Sequence, residues 1–452
     1  MSEVRFGRLT DAPATFHLFG ARVIDPSDGT DAVRDLAVHD GVIVSEAPDD
    51  AERIDGRGLV VAPGLCDLHT HLREPGGNGS ETIESGSRAA AHGGFTTVCA
   101  MPNTDPPLDN AAAIADVAGR DVSCRVRVIG TATAGRSGEG VADVAAMAGA
   151  GAVGFSDDGA AVAEGSLVRE LLAALAPLGL PLIEHAEDPM LAGGGVMRAG
   201  PIATRLGLAG WPSEAEISIV ERDIALAAET GARLHLTHLS TAGALEAVRR
   251  AKARDENVSC DVTPHHLAMT DAWVAGSRRF SWEEPEPREE LAYDGRCRVN
   301  PPLGSREDAL ALLAGVADGT IDAIATDHAP HPPERKLVPF DEAAPGLSGL
   351  ETALSLGVAA VEAHRLDLVT LIAALSTRPA SIIGERRSLA IGAEADLVVI
   401  DPNVRWRVEA SVLASVSANT PLLGMELPGV VRLTVAGGRV TYRSSRSSVQ
   451  DT

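Results

Sequence analysis

Lysine is almost missing from this chain: 452 residues hold only Lys252 and Lys336. Acidic residues outnumber basic ones 63 to 39, giving a net charge of −24. Such a balance excludes a nucleic-acid or anionic-membrane surface, and an anionic ligand would need its own cationic pocket. Aromatics are scarce at 3%, and the many Ala, Gly and Val suit tightly packed helices and strands. The five cysteines (Cys66, Cys99, Cys124, Cys260, Cys297) are scattered and form no Cys-x-x-Cys pair. That excludes a disulfide framework and argues for reduced thiols in a cytoplasmic protein. No apolar run approaches the roughly 18 residues of a membrane span, and Met1–Thr10 has no signal-peptide apolar region. The expectation is a soluble cytoplasmic protein without membrane or nucleic-acid partners.

Hydrophobic residues make up 45% of the chain, enough for a large core. The stretch that organises the rest is Asp67–Gly76, Asp-Leu-His-Thr-His-Leu-Arg-Glu-Pro-Gly. The apolar run Leu59–Leu65 leads into it as one buried strand. Side chains alternate along a strand, so His69 and His71 face one side together, and Arg73 keeps the same phase. Seven more apolar segments end in polar residues: Phe95–Met101, Arg125–Thr131, Ala152–Phe155, Leu180–His185, Arg233–His238, Val258–Thr263 and Ile321–Thr326. Helical periodicity fills most of the gaps, around Glu81–Ala91, Ala111–Ala118, Val141–Ala148, Ser166–Ala176, Ser213–Glu229, Ala242–Ala253 and Glu307–Ala317. Eight alternating units predict an α/β fold, a (β/α)8 TIM-like barrel, rather than an open doubly wound sheet.

Short alternating segments on either side predict a small composite β domain built from both termini. The expected boundaries are a leader over 1–15, the N-terminal part of the β domain over 16–58 and the barrel over 59–385. The C-terminal part of the β domain follows over 386–443, then a Ser-rich tail over 444–452. The charged stretch 277–296 reads as an excursion without chemistry.

In such barrels the active site gathers at the C-terminal ends of the strands. His69 and His71 end the first strand and Asp157 and Asp158 the fourth. His185 ends the fifth, His238 the sixth and Asp327 the eighth. Imidazole and carboxylate are donors that Zn2+ accepts, and six of them exceed what one tetrahedral ion needs. Two metals bridged by a carboxylate and a hydroxide fit the count better. His235 and His238 are three apart on a strand, so only one can enter the site, and His238 lies nearer the strand end. Asp157 and Asp158 face opposite ways, so only one can bridge. His265 and His266 lie past the seventh strand and read as supporting or structural.

These residues resemble the amidohydrolase superfamily, its cyclic-amide branch, and within it the type I dihydroorotase family. The resemblance rests on Asp67–Gly76, Met101–Thr104, Phe155–Gly159, His185–Asp188, Thr237–Ser240, Val262–Leu267, Asn300–Leu303, Ala325–His331 and Gly349–Thr352. These stretches stand in the family's order across nearly the whole barrel. The resemblance implies that His69, His71 and Asp327 hold one Zn2+, that His185 and His238 hold another, and that Asp158 and a hydroxide bridge them. It further implies substrate contacts from Arg73, Asn103, Asn300, His331, Pro345 and Gly346. Arg73 is the bidentate fork for a carboxylate; read plainly, it could instead pair with Glu74. Around Pro345 this chain has Ala-Pro-Gly-Leu-Ser-Gly where the family more often has Phe-Gly before a branched residue.

The implied reaction is reversible hydrolysis of (S)-dihydroorotate to N-carbamoyl-L-aspartate, a step of pyrimidine (UMP) biosynthesis, with Asp327 as the proton carrier. A homodimer and association with aspartate carbamoyltransferase are partners that the resemblance allows. Related hydantoinases and allantoinases bridge their metals with a carboxylated lysine near the fourth strand. Neither Lys252 nor Lys336 lies there, which counts against that branch. The remaining rival is a non-catalytic dihydroorotase-like scaffold for the transcarbamoylase; such proteins lose metal ligands, and here all are present.

Overall fold

Two sheets share the apolar run Leu59–Leu65. Val60–Pro63 pairs antiparallel with the strand Leu397–Arg407, with Ile400 opposite Val60 and Leu397 opposite Pro63. The first barrel strand, Leu65–Thr70, starts only beyond Gly64. A Cβ on Gly64 would lie 2.3 Å from both Thr96 Cγ2 and Thr96 Oγ1, so only glycine lets the chain pass from one sheet to the other here. The single strand read from the sequence is therefore two, and the β sheet extends past residue 58 to Pro63. Hydrophobicity alone could not divide them, because both halves are fully buried.

The computed structural model describes residues 5–77 and 79–444. The barrel strands are Leu65–Thr70, Phe95–Ala100, Arg125–Thr131, Ala152–Ser156, Leu182–Glu184, Leu234–Leu236, Val258–Val262 and Ala323–Ile324, neighbours in that order. All seven pairings between them are parallel. The last strand meets the first through a parallel bridge between Thr70 and His328 and a 2.9 Å bond from His71 N to His328 O. Asp67 reinforces that junction, accepting from Thr326 N at 2.9 Å and from Thr326 Oγ1 at 2.5 Å. Helices cover the outside, among them Ile83–His92, Ala111–Ala118, Gly165–Leu175, Glu214–Thr230, Ala242–Lys252 and Arg306–Asp318. The fold class is thus the expected TIM-like barrel with a β domain from both chain ends.

The β domain is one nine-stranded sheet. Phe16, Leu18, Val23 and Val61 pack in its core against Leu397, Val399, Leu433 and Val435. Burying each such side chain stabilises the fold by about 1.5–3 kcal/mol. The stretch expected as a leader is tied down from Arg5 onward: Arg5–Phe6 pairs with Arg439–Arg443, and Leu9 N donates to Val122 O at 3.1 Å. Of the expected tail only Ser444 is described, its N donating to Arg432 O at 2.9 Å; 445–452 lie outside the described residues. The excursion over 277–296 packs on the barrel, with Phe280 stacked on Trp273 at 6.3 Å. Among the described residues no helix is long and apolar enough to cross a membrane.

Candidate metal and substrate site

Backbone held in an uncommon conformation presents two of the candidate ligands. His238 and Asp327 have φ of 40° and 46°, a region non-glycine residues seldom occupy, and which collects at functional sites. Asp261 Oδ1 fixes the first by accepting from His238 N at 2.7 Å. The barrel brings His69, His71, Asp158, His185, His238 and Asp327 together at one mouth, each only 1–6% exposed.

Asp158 sits at the centre. Its Oδ1 is 3.3 Å from His69 Nε2, 3.6 Å from His185 Nδ1 and 3.5 Å from His238 Nε2, and its Oδ2 is 3.4 Å from His71 Nε2. Two potential ligand groups share it: His69 and His71 on one side, His185 and His238 on the other. Asp327 Oδ1 joins the first side, 3.0 Å from His71 Nε2 and 3.5 Å from His69 Nε2. Burial penalises both carboxylates, but the surrounding histidines, His69 foremost, outweigh it and hold them below the usual range. Asp157 points away. It accepts from Ala132 N at 3.0 Å, from Thr133 N at 3.1 Å and from the Thr133 hydroxyl, binding the loop after the third strand.

Outer contacts settle which imidazole nitrogen faces inward. Thr237 Oγ1 donates to Asp261 Oδ2 at 3.0 Å, so it must accept from His69 Nδ1 at 2.8 Å, and Nε2 is the nitrogen turned to the cluster. Asn103 Oδ1, an acceptor, does the same for His71 Nδ1 at 2.8 Å. His185 is reversed: its Nε2 donates to Glu187 Oε2 at 3.0 Å and its Nδ1 faces the cluster. Burial alone would raise Glu187, yet the His185 bond outweighs it and holds Glu187 at about 2. His235 turns away to Asp261 Oδ2 and Ser259 Oγ, each at 2.8 Å. His266 is bonded to Thr263 Oγ1 and Pro301 O, at 2.8 and 3.0 Å.

A cavity of about 280 Å3 opens above the cluster and is lined by Arg73, Asn103, Asn300, His331, Pro345 and Gly346 among others. Arg73 reaches it by a different route from the one its spacing suggested. The strand ends at Thr70, and Arg73 lies in a turn with φ of 60°, so strand phase does not aim it. Nor does Glu74 pair with it; Glu74 Oε2 accepts from Ile83 N at 2.7 Å, closing the start of the helix there. Among the described residues Arg73 has no carboxylate partner. Its contacts are Pro330 O and His331 Nε2, both at 3.3 Å. Burial, then the charge of Arg73, lowers His331 to about 3, so its ring is neutral; Nε2 donates to Pro345 O at 2.8 Å, and its 3.3 Å approach to Arg73 is packing rather than a hydrogen bond.

Three contributors had no role in the sequence reading: Glu187, Asp261 and Asn419. Glu187 stood inside the His185–Asp188 motif, and Asp261 was a lone acid in a buried strand, a usable signal. Asn419 comes from the C-terminal stretch assigned to the β domain. Its Oδ1 accepts from His331 N at 3.1 Å and its Nδ2 donates to Gly346 O at 3.2 Å. Nothing in local sequence marks it.

Known proteins match this arrangement. The family description "Dihydro-orotase-like" fits residues 58–244, and "Amidohydrolase family" fits residues 178–442. A dihydroorotase of Geobacter sp. (strain M21) is 44% identical over 94% of this chain and 98% of its own length. One from Anaeromyxobacter sp. (strain K) is 45% identical over 95% and 98%. The chain belongs to the dihydroorotase family.

As a member of the dihydroorotase family it is a metal-dependent cyclic amide hydrolase of the amidohydrolase superfamily. Among solved structures, an L-hydantoinase from Arthrobacter aurescens superposes with a TM-score of 0.81 at 26% identity, covering 96% of this chain and 97% of its own. A dihydropyrimidinase from Brevibacillus agri superposes at 0.78 with 22% identity, covering 96% of each, and shares the fold. The donors suit the metal such an enzyme needs. Among the described residues Asp158 Oδ1 is buried with no hydrogen-bond partner, and His185 Nδ1 and His238 Nε2 face each other at 2.9 Å. Neither lysine reaches the cluster: Lys252 pairs with Asp322 at 2.5 Å, and Lys336 lies under the Ala344–Gly346 loop.

Proposed function

We propose that this chain is a dihydroorotase holding two Zn2+, one among His69, His71 and Asp327 and one between His185 and His238, with Asp158 shared. Zinc bound there would supply Lewis acidity and hydroxide at neutral pH. The observation that carries the reading is Arg73, a half-buried guanidinium without a carboxylate partner among the described residues, opening on the same cavity as the Asp158 cluster. Its fork takes the substrate's exocyclic carboxylate, and that contact fixes the ring with its amide toward the cluster. Asn103 and His331 border the same carboxylate, while Asn300 and the Pro345–Gly346 backbone border the ring.

The bond that breaks joins the ring carbonyl carbon next to the methylene to the imide nitrogen. Hydroxide adds to that carbon, which leaves as a carboxylate, and the nitrogen departs with a proton to complete the carbamoyl group. Asp327 receives the proton of the attacking hydroxide at a carboxylate oxygen and passes it to the departing nitrogen. In synthesis the same transfers run backwards. The small-molecule substrate is the main partner. The reading also takes the chain as cytoplasmic, with a homodimer or an aspartate carbamoyltransferase complex to be sought by sedimentation with and without the transcarbamoylase.

The test is hydrolysis of dihydroorotate, allantoin and hydantoin at equal zinc loading, with zinc counted per chain. Preference for dihydroorotate with close to two zinc per chain supports the reading. Equal turnover of hydantoin, or full activity without metal, would overturn it.

A further inference from the structure

Lys336 ends a short helix, Pro333–Lys336, beyond the eighth strand, and is 2% exposed. Its Nζ donates to Arg298 O at 3.0 Å, Ala344 O at 2.6 Å and Gly346 O at 2.8 Å. An ammonium has three protons, so each is used on a backbone carbonyl. Two of those carbonyls flank Pro345, and the third lies two residues before Asn300. No carboxylate forms an ion pair with it among the described residues. A buried charge without a counter-ion is costly to keep, which marks the contact as more than surface decoration. Gly346, at φ of 126°, is packed so closely that a Cβ would lie 2.6 Å from Ala329 Cβ. The loop therefore has one tight arrangement, tied from beneath by the ammonium.

We propose that Lys336 is a positioning residue for substrate: its ammonium ties the loop after the seventh strand to the Pro345–Gly346 rim and so sets substrate affinity and selectivity. The inference rests on the reading of Asn300, His331 and Pro345–Gly346 as substrate contacts. The tie needs the charged form, because a neutral amine would turn a lone pair toward one of the three carbonyls. Burial brings Lys336 down to about 7; Arg298 and Arg296 act in the same direction, while Cys297 and Asp294 oppose them. His331, the imidazole on this rim beside Arg73 and Arg335, is neutral throughout, so it does not follow the same change.

The experiment measures KM and kcat for dihydroorotate from about pH 6 to 9, with zinc content, for the unaltered zinc enzyme, Lys336→Met and Arg73→Ala. The unaltered enzyme should lose affinity as pH rises through about 7. Lys336→Met should show a KM raised about tenfold at pH 6, the equivalent of one charge-assisted contact, flat with pH and with zinc unchanged. A KM for Lys336→Met that matches the unaltered enzyme in size and pH dependence overturns the proposal. If Arg73→Ala also leaves KM unchanged, the substrate-site reading itself fails; if Arg73→Ala raises KM and Lys336→Met does not, only the role of Lys336 fails. Should Lys336→Met not fold, Lys336→Arg takes its place: a cation that stays charged to about pH 9 should remove the rise in KM through about 7, and a rise that persists overturns the proposal.

Discussion

Asn103 Oδ1 lies 2.8 Å from His71 Nδ1 while Asn103 Nδ2 lies 3.3 Å from Asp158 Oδ2. One amide thus orients an imidazole of the cluster and touches the shared carboxylate, at the edge of the cavity where substrate would sit. Its acceptor faces the ring N–H and its donor the carboxylate, an assignment that the reversed amide could not satisfy.

Replacing that amide should disturb metal before chemistry. Asn103→Ala is expected to weaken zinc binding by about 10- to 100-fold, the usual effect of removing a partner that orients a ligand. Competition with a chromophoric chelator measures this. Zinc affinity equal to the parent would reduce Asn103 to a substrate contact alone.

Arg73→Ala should act the other way. With no carboxylate partner and no bond to a candidate metal ligand among the described residues, its loss spares zinc content and lowers kcat/KM for dihydroorotate by about 100-fold, the upper end of what a charge-assisted contact contributes where Lys336 takes the lower. Loss of zinc with substrate affinity intact would contradict the assignment.

The neighbouring aspartates should separate cleanly. Asp158→Asn is expected to abolish activity and leave less than the parent's zinc, because the shared oxygen lies within 3.6 Å of three imidazoles. Asp157→Ala unties the Thr133 loop and should cost about 1–3 kcal/mol of stability while retaining metal. Zinc analysis beside urea unfolding reads both; the reverse pattern would make Asp157 the bridge.

Asp271 carries the pH prediction. Burial, with Asp308 adding to it, raises its carboxyl to about 6, against about 3.9 in an unfolded chain. Between those values the folded chain holds the extra proton, so stability falls as pH rises through the window and the penalty is complete above about pH 6. Asp271→Asn should therefore be more stable than the parent by about 1–2 kcal/mol near pH 7.5, discounted for residual exposure, and indistinguishable from it near pH 3, below both values. Urea midpoints at the two pH values are the measurement; an equal gap at both would refute it.

The barrel was legible because each unit repeats one pattern, an apolar strand with a polar end followed by a helical period. Helices such as Ala111–Ala118 and Ala242–Lys252 fall where their periodicity put them. His69, His71, His185, His238 and Asp327 were legible because a strand end fixes where a side chain emerges. Arg73 is legible by type and by its nearness to His71, but a left-handed turn rather than strand alternation aims it. The Val60–Pro63 strand was hidden because a fully buried run carries no sign of which sheet it joins. Asn419 and Lys336 were invisible as contributors: they act on backbone groups that are distant in sequence, and no local pattern encodes that.

The eighth strand contributes only Ala323–Ile324 to regular pairing, and what joins the barrel's last stave to its first is Asp67 gripping Thr326 and His328 bridging Thr70. That seam lies directly beneath His69, His71 and Asp327, which come from its two sides. A single ion drawing those three inward would also cinch the hoop. Amide exchange at Thr326 and His71 would then slow on metal loading ahead of the rest of the barrel, making the seam a gauge of occupancy.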